Sequence, residues 1–305
     1  LRGAGDTRTP MKMNIMMNVA NALLGLLFIY GLGWGVQGAG FANLAARVLG
    51  AAMVLLVLLS GKKSIAITRQ ALRSHNGHMR NAIFRIGIPA GIESLMFSGG
   101  KLITQAYIAS LGTVAMASNY VASACAGFLQ LPGAALQIAC TTLVGQAMGR
   151  NAPAEARSMI KYTTFAASFC LLVTGGIAFP LAGWLTRAFT ADQAVIDTSA
   201  WLLRLLLMVS PFLWATSFLL PAGLRGAGDT KYPMVVSIVG MWIFRISLGW
   251  VLAYPAGLGV VGVWLAMFVD WAVRSVFFLA RLGGQAWQKH TVHQERLRPD
   301  LPERE

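Results

Sequence analysis

The sequence predicts an all-α, polytopic membrane protein. Three observations carry that prediction: the composition, the spacing of the apolar runs and the placement of the basic residues. Of 305 residues, 56% are hydrophobic and 12% charged, and the mean hydropathy is +0.61. A soluble surface carries charge on about a quarter of its residues, so an ordinary soluble domain is excluded. Disorder is excluded as well, because disordered chains are poor in apolar residues. Cys125, Cys140 and Cys170 all sit inside apolar runs, so neither a disulfide framework nor a metal cluster is expected.

A helix needs about 20 apolar residues to cross a ~30 Å hydrocarbon core, and eight segments qualify: 11–32, 38–60, 86–111, 114–144, 162–185, 201–220, 234–254 and 259–282. The first carries Asn14, Asn18 and Asn21 at helical spacing, a polar stripe for a cavity or for further helices rather than lipid. The second holds Arg47. The third follows Pro89 with Glu93, Lys101 and Gln105, and the fourth carries Asn119, Gln130, Pro132 and Gln137. The fifth carries no charge, the sixth contains Pro211, the seventh has Arg245 near its middle, and the eighth has Asp270 and Arg274. Proline and glycine inside such spans are tolerated where neighbouring helices re-satisfy the freed backbone groups. Trp34, Trp184, Trp201 and Trp287 lie near span ends and read as interface anchors.

The formal charge is +14, from 25 Lys and Arg against 11 Asp and Glu. With residues 1–10 in the cytoplasm, eight crossings place 61–85, 145–161, 225–233 and the tail from Arg281 on the same side. Those five segments, with Lys12 at the very start of the first span, hold 19 of the 25 basic residues, and the outer links hold one, Arg187. Positive charge retained in the cytoplasm sets orientation, so both ends of the chain are expected inside. The basic loops are expected to meet anionic lipid headgroups. Nucleic acid is not an expected partner. The basic stretch 62–85, with Ile65, Ile67, Leu72 and Met79 interspersed, fits an interfacial amphipathic segment.

The seven residues Leu1 to Thr7 recur letter for letter as Leu224 to Thr230, and Pro-Met follows each copy, at Pro10 and Pro233. Such repeats mark transporter folds built from two equivalent bundles around a central site. The second copy lies 138 residues after Ile86, a stretch holding four crossings. By symmetry, roughly 140 further residues and four helices are expected ahead of the first copy. The motif has a local account as a tight turn. Arg225 complements the negative end of one helix, Gly226 and Gly228 permit a left-handed turn, Asp229 or Thr230 caps the next helix, and Pro233 suits its first turn. The spacing does not match a phosphate-binding loop.

Two copies of Arg-Gly-Ala-Gly-Asp-Thr-x-x-Pro-Met, together with Ile86-Gly-Ile-Pro-Ala-Gly-Ile-Glu93, Gly100-Lys-Leu-Ile-Thr-Gln105 and Leu143-Val-Gly-Gln146, resemble the multidrug and toxic compound extrusion family of secondary transporters. The resemblance implies twelve helices in two pseudo-symmetric lobes, a central cavity, and export of organic, often cationic, compounds against inward H⁺ or Na⁺. On that pattern residues 1–60 are the last two helices of an N-terminal lobe and 61–85 a basic cytoplasmic linker. Residues 86–283 are then a complete six-helix C-terminal lobe, and 284–305 a cytoplasmic tail. Its first four helices would be further partners of this chain.

A charge in hydrocarbon is costly and faces protein, water or a partner. Arg204 lies close enough to a span end to snorkel, and Arg274 can snorkel towards the inside. Asp270 and Arg245 stand at matching depth on consecutive spans, with Arg274 one turn from Asp270. They read as a structural clamp, or as a coupling carboxylate released in one conformation. Glu93 lies about 12 Å along the helix from Lys101, too far for an easy pair. It either meets a cation on another helix, Arg47 or one in the missing lobe, or takes up the coupling cation. The resemblance implies the second role, because a carboxylate on this helix is implicated in cation coupling in the family. Lys101, Gln105, Asn119 and Gln130 either glue helices together or line a wet cavity.

The expectation is therefore an inner-membrane, cation-coupled antiporter exporting drugs or toxic organic compounds by alternating access. It needs no cofactor beyond its coupling ion, H⁺ or Na⁺. The alternatives are a flippase for lipid or polyprenyl-linked precursors, favoured by a basic cavity, and a non-transporting remnant. No metal site is expected, and an enzyme is not: paired carboxylates, Ser/His pairs and His-Glu-x-x-His are missing from the sequence, and all four histidines fall in cytoplasmic segments.

Overall fold

The structure, a computed structural model, describes residues 6–60 and 77–288. Residues 1–5 of the first motif copy, most of the amphipathic stretch 62–85 and the tail from 289 lie outside the described residues. Among the described residues every regular element is helical. The chain divides into two compact units, Leu1–Arg80 and Asn81–Glu305.

The first unit is a helical hairpin. Helix α1 (Arg8–Leu26), extended by a π-helical turn (Leu27–Gly31), packs on α2 (Gly35–Leu59). The buried residues of α2 are Gly38, Ala42, Ala46 and Gly50, one per turn. A Cβ at Gly38 would fall 2.9 Å from the Phe28 carbonyl, and one at Gly50 2.9 Å from Met17 Sδ. Small residues at four-residue spacing let two helices approach closely. Asn14 and Asn18 lie on exposed faces of the hairpin, and Arg47 donates to Asn43 on its own helix at 2.9 Å.

The second unit comprises α3 (Gly77–Ser110), α4 (Thr113–Leu129), α5 (Leu131–Gly149), α6 (Pro153–Arg187), α7 (Gln193–Val209), α8 (Ala215–Gly226), α9 (Lys231–Val239), α10 (Gly249–Ala253) and α11 (Gly259–Gly283). A π-helical turn, Ser210–Trp214, joins α7 to α8, and a longer one, Gly240–Leu248, joins α9 to α10. Pro211 lacks an N–H, and its ring displaces the carbonyl one turn back; the widened turn absorbs that fault without ending the helix. The core runs between α4, α6, α7, α8 and α11, around Leu171, Leu203, Leu206, Leu219 and Trp271. A smaller cluster at the motif end holds Val144, Ile160, Leu224, Phe278 and Trp287.

Among the described residues six helical stretches are long and apolar enough to cross a bilayer: Arg8–Gly31, Gly35–Leu59, Pro153–Arg187, Gln193–Gly226, Lys231–Ala253 and Gly259–Gly283. Taken as one, the α4–α5 pair makes a seventh. Two differences from the sequence reading have clear causes. Segment 114–144 is not one rod but two helices bent by 54° at Gln130, where Pro132 opens the second. The helix expected from Ile86 begins at Gly77, because a helix continues past the bilayer wherever its sequence permits. That helix, α3, is long enough to span, but Glu93, Ser94, Ser98, Lys101 and Gln105 dilute its apolar run.

Trp287 is also not an interface anchor: it is fully buried, with the Arg157 guanidinium 5.9 Å from its ring. Trp34, Trp184 and Trp201 remain about half exposed or more.

Candidate functional site

A cavity of about 480 Å³ opens within the second unit, between α3, α4, the two π-helical turns and α11. Lys101, Gln105, Asn119 and Gln130 all line it. Lys101 and Gln105 share one face of α3 at i, i+4 spacing. Asn119, on α4, accepts from Trp264 Nε1 at 3.0 Å and donates towards Gln105 at 3.4 Å, so it holds three elements together while facing the cavity. Gln130 stands at the α4–α5 bend. Asn119 and Gln105 thus both bridge helices and line the cavity, and Gln130 lines it.

The remainder of the wall was not legible in the sequence. Trp214, Phe218, Trp264 and Trp271 line the cavity. Trp214 stacks on Phe218 at 5.0 Å, and Phe218 meets Trp271 edge-on at 5.8 Å. Trp271 is fixed from behind: Ser217 and Ser275 both donate to its carbonyl, at 2.6 and 2.7 Å, which locks α8 against α11. Trp214 sits on one π-helical turn and Arg245 on the other. A π turn advances its side chains out of the α-helical register, and here both deviations deliver a residue to the same cavity.

Phe97 is the residue around which the charges gather. Lys101 Nζ lies 5.1 Å from its ring centroid, and the guanidinium carbons of Arg274 and Arg245 lie 5.8 and 5.9 Å away. A ring face attracts a cation through its quadrupole, so one phenylalanine gathers three cations that would otherwise repel one another. Its spacing, one turn from both Glu93 and Lys101, was the available signal.

The predicted charge network is arranged as follows. Arg274 Nε stands 3.0 Å from Asp270 Oδ1, and both side chains are buried, at 3% and 0% exposure. Arg274 therefore does not snorkel. By distance this is an ion pair, although its hydrogen-bond direction is poor and neither Asp270 oxygen accepts a well-aligned bond. Arg245 stands outside ion-pair distance of any carboxylate among the described residues, and its Nε is enclosed without a hydrogen-bond partner. The clamp thus closes on one arginine, because the π turn carries Arg245 towards the cavity. Gly240 makes the pair possible: a Cβ there would fall 2.4 Å from Asp270 Oδ1.

Glu93 lies outside the cavity lining. Its partner is Arg225 of the second motif copy, 2.5 Å away and 132 residues along the chain. The sequence had assigned Arg225 to the end of α8, where it does lie, but its guanidinium also reaches α3. The rest of the motif departs from the expected turn in part. Gly228 takes the left-handed conformation, with φ +90°, whereas Gly226 is helical. Gly226 is small because a Cβ would fall 2.6 Å from the Thr141 carbonyl. Thr230 stands at the N-cap of α9, as expected, but makes no side-chain cap bond. Asp229, buried at 2%, accepts from Arg281 at 2.8 Å, and the Arg281 guanidinium covers Tyr232. Pro233 is buried in the first turn of α9, as expected.

Fold and site together define a polytopic α-helical membrane protein whose broken helices surround a polar and aromatic cavity. The MatE family model matches residues 89–251, and the chain belongs to that family. The probable multidrug resistance protein NorM of Thermotoga maritima is 29% identical over 96% of this chain and 63% of its own length. A structure described as MATE in the bent conformation superposes with a TM-score of 0.80 at 21% identity, covering 94% of this chain and 64% of that one. A MOP superfamily transporter from Pyrococcus furiosus, described as having a binding pocket of reverse polarity, gives a TM-score of 0.80 at 20% identity, over 90% and 62%. The chain therefore spans less than two thirds of the length of the relatives it matches.

Proposed function

We propose that this chain is part of a cation-coupled antiporter that exports organic compounds by alternating access. The family assignment supports transport, and the cavity supplies a place for the exported compound. The observation that carries the coupling mechanism is the Glu93–Arg225 pair, because it ties the Pro89-containing helix α3 to the last turn of α8. A carboxylate that binds H⁺ or Na⁺ gives up its hold on a guanidinium, and the two helices are then free to separate. The cation entering at Glu93 thereby releases the motif end while the organic compound leaves from the cavity. Asp270, buried against Arg274, serves as scaffold.

The same reading places the two units in the two lobes of a twelve-helix protein, with residues 61–85 as the cytoplasmic linker. Both ends of this chain face the cytoplasm of an inner membrane, and the basic loops touch its anionic lipids. The test is efflux of a fluorescent dye from cells expressing the complete reading frame that encodes this chain, driven by an imposed H⁺ or Na⁺ gradient. Glu93→Gln is expected to abolish gradient-driven efflux while dye binding persists. Unaltered coupled efflux in that variant contradicts the role of Glu93.

A further inference from the structure

Among the described residues two cations line the cavity and no carboxylate does. Lys101 and Arg245 are the charged residues of the wall, and both heads stand against the same ring, Phe97. The nearby carboxylates are ion-paired elsewhere, Glu93 to Arg225 and Asp270 to Arg274; Asp270 acts on Arg245 as well, but from beyond ion-pair distance, and one carboxylate between two arginines leaves the group in excess of positive charge. The unmatched hydrogen-bonding groups agree in kind. Arg245 Nε and Trp271 Nε1 are both enclosed and without partners, and both are donors with no capacity to accept. A wall of two cations and two orphaned N–H groups is complementary to a group that is anionic and rich in acceptors. Guanidinium adds a preference for planar or tetrahedral oxyanions, which it can grip with two parallel bonds. Beside these donors runs the stacked surface of Trp214, Phe218 and Trp271, which suits a flat apolar body.

We propose that the cavity binds an amphipathic organic anion, its carboxylate, sulfonate or phosphate held by Lys101 and Arg245 and its apolar body laid on the tryptophan wall. This names the substrate class of the cavity assigned above to the exported compound, and rests on that assignment. Organic cations are disfavoured there, since they would meet two like charges. The acidic head can belong to a free organic anion or to an anionic lipid.

The test uses the complete protein in lipid nanodiscs, with pyrenebutyrate and a pyrenebutyl trimethylammonium cation as matched probes and quenching of tryptophan fluorescence as the readout. The unaltered protein is expected to bind the anion at least about tenfold more tightly than the cation. Lys101→Gln and Arg245→Gln are each expected to weaken anion binding by about tenfold and to leave cation binding equal or stronger. Tighter binding of the cation by the unaltered protein overturns the proposal, and that comparison needs no variant. Anion affinity unchanged in both variants, with melting showing them folded, also overturns it. Repeating the titration with phosphatidylglycerol added to zwitterionic nanodiscs separates the sources: displacement of the probe identifies a lipid head, persistence a free anion, and both support an anion site. Gradient-driven movement of each probe is measured in parallel. Anion binding without movement of either probe supports the anion site and contradicts export; cation export with cation-preferring binding does the reverse.

Discussion

The two ends of the second unit handle buried charge in opposite ways. At the motif end each carboxylate has its own arginine: Glu93 with Arg225, and Asp229 with Arg281. Deeper in the bundle Asp270 has Arg274. At the cavity Lys101 and Arg245 have an aromatic ring and each other. Burying a charge is tolerable when a partner offsets the lost hydration, so Asp229 with Arg281 and Asp270 with Arg274 read as scaffold, and Glu93 with Arg225 is the pair that the proposed coupling opens. The cavity holds its cations only through a ring face, and on the proposed reading they serve a compound that enters it. Pairing therefore separates the side chains that build this unit from those that serve it.

That contrast can be broken by substitution, and the expected effects are graded. The largest is at Asp270. Asp270→Asn leaves Arg274 as an enclosed cation without a counter-charge, a change that costs about 3–5 kcal/mol at buried pairs, read as a fall in melting temperature of the protein in nanodiscs. Gly240→Ala follows: its added methyl group meets Asp270 Oδ1, and overpacking of this kind costs about 1–3 kcal/mol. A melt of Gly240→Ala equal to that of the unaltered protein would show that the pair is looser than its geometry. Glu93→Gln removes a charged hydrogen bond worth about 1.5–3 kcal/mol, with the loss of coupled efflux as its second readout. The smallest effect is at Arg150, paired with Glu155 at 2.6 Å but with side chains 57% and 40% exposed. Arg150→Ala is expected to shift stability by less than about 1 kcal/mol.

The sequence carried the helical architecture well because its signals are local: apolar length, proline, and basic loops. It carried the polar residues of the cavity for a similar reason, since Lys101, Gln105, Asn119 and Gln130 interrupt otherwise apolar runs. The tryptophan wall was hidden because an aromatic residue in an apolar helix looks the same whether it faces lipid, core or cavity. Arg245 was placed at the right depth and does lie in the field of Asp270, but beyond ion-pair distance. Helical spacing assumes a regular α-helix, and the π turn at Gly240–Leu248 rotates the side chain away from Asp270. The Glu93–Arg225 pair was out of reach, because 132 residues separate its members and no periodicity links them.

The most direct test of the division between scaffold and service is the double variant Lys101→Gln with Arg245→Gln, followed by melting and by pyrenebutyrate titration on the same sample. The expected result is a melting temperature shifted far less than in Asp270→Asn, because neither cation is in an ion pair among the described residues, together with loss of anion binding. A melting temperature lowered as far as in Asp270→Asn, with anion binding intact, would contradict it.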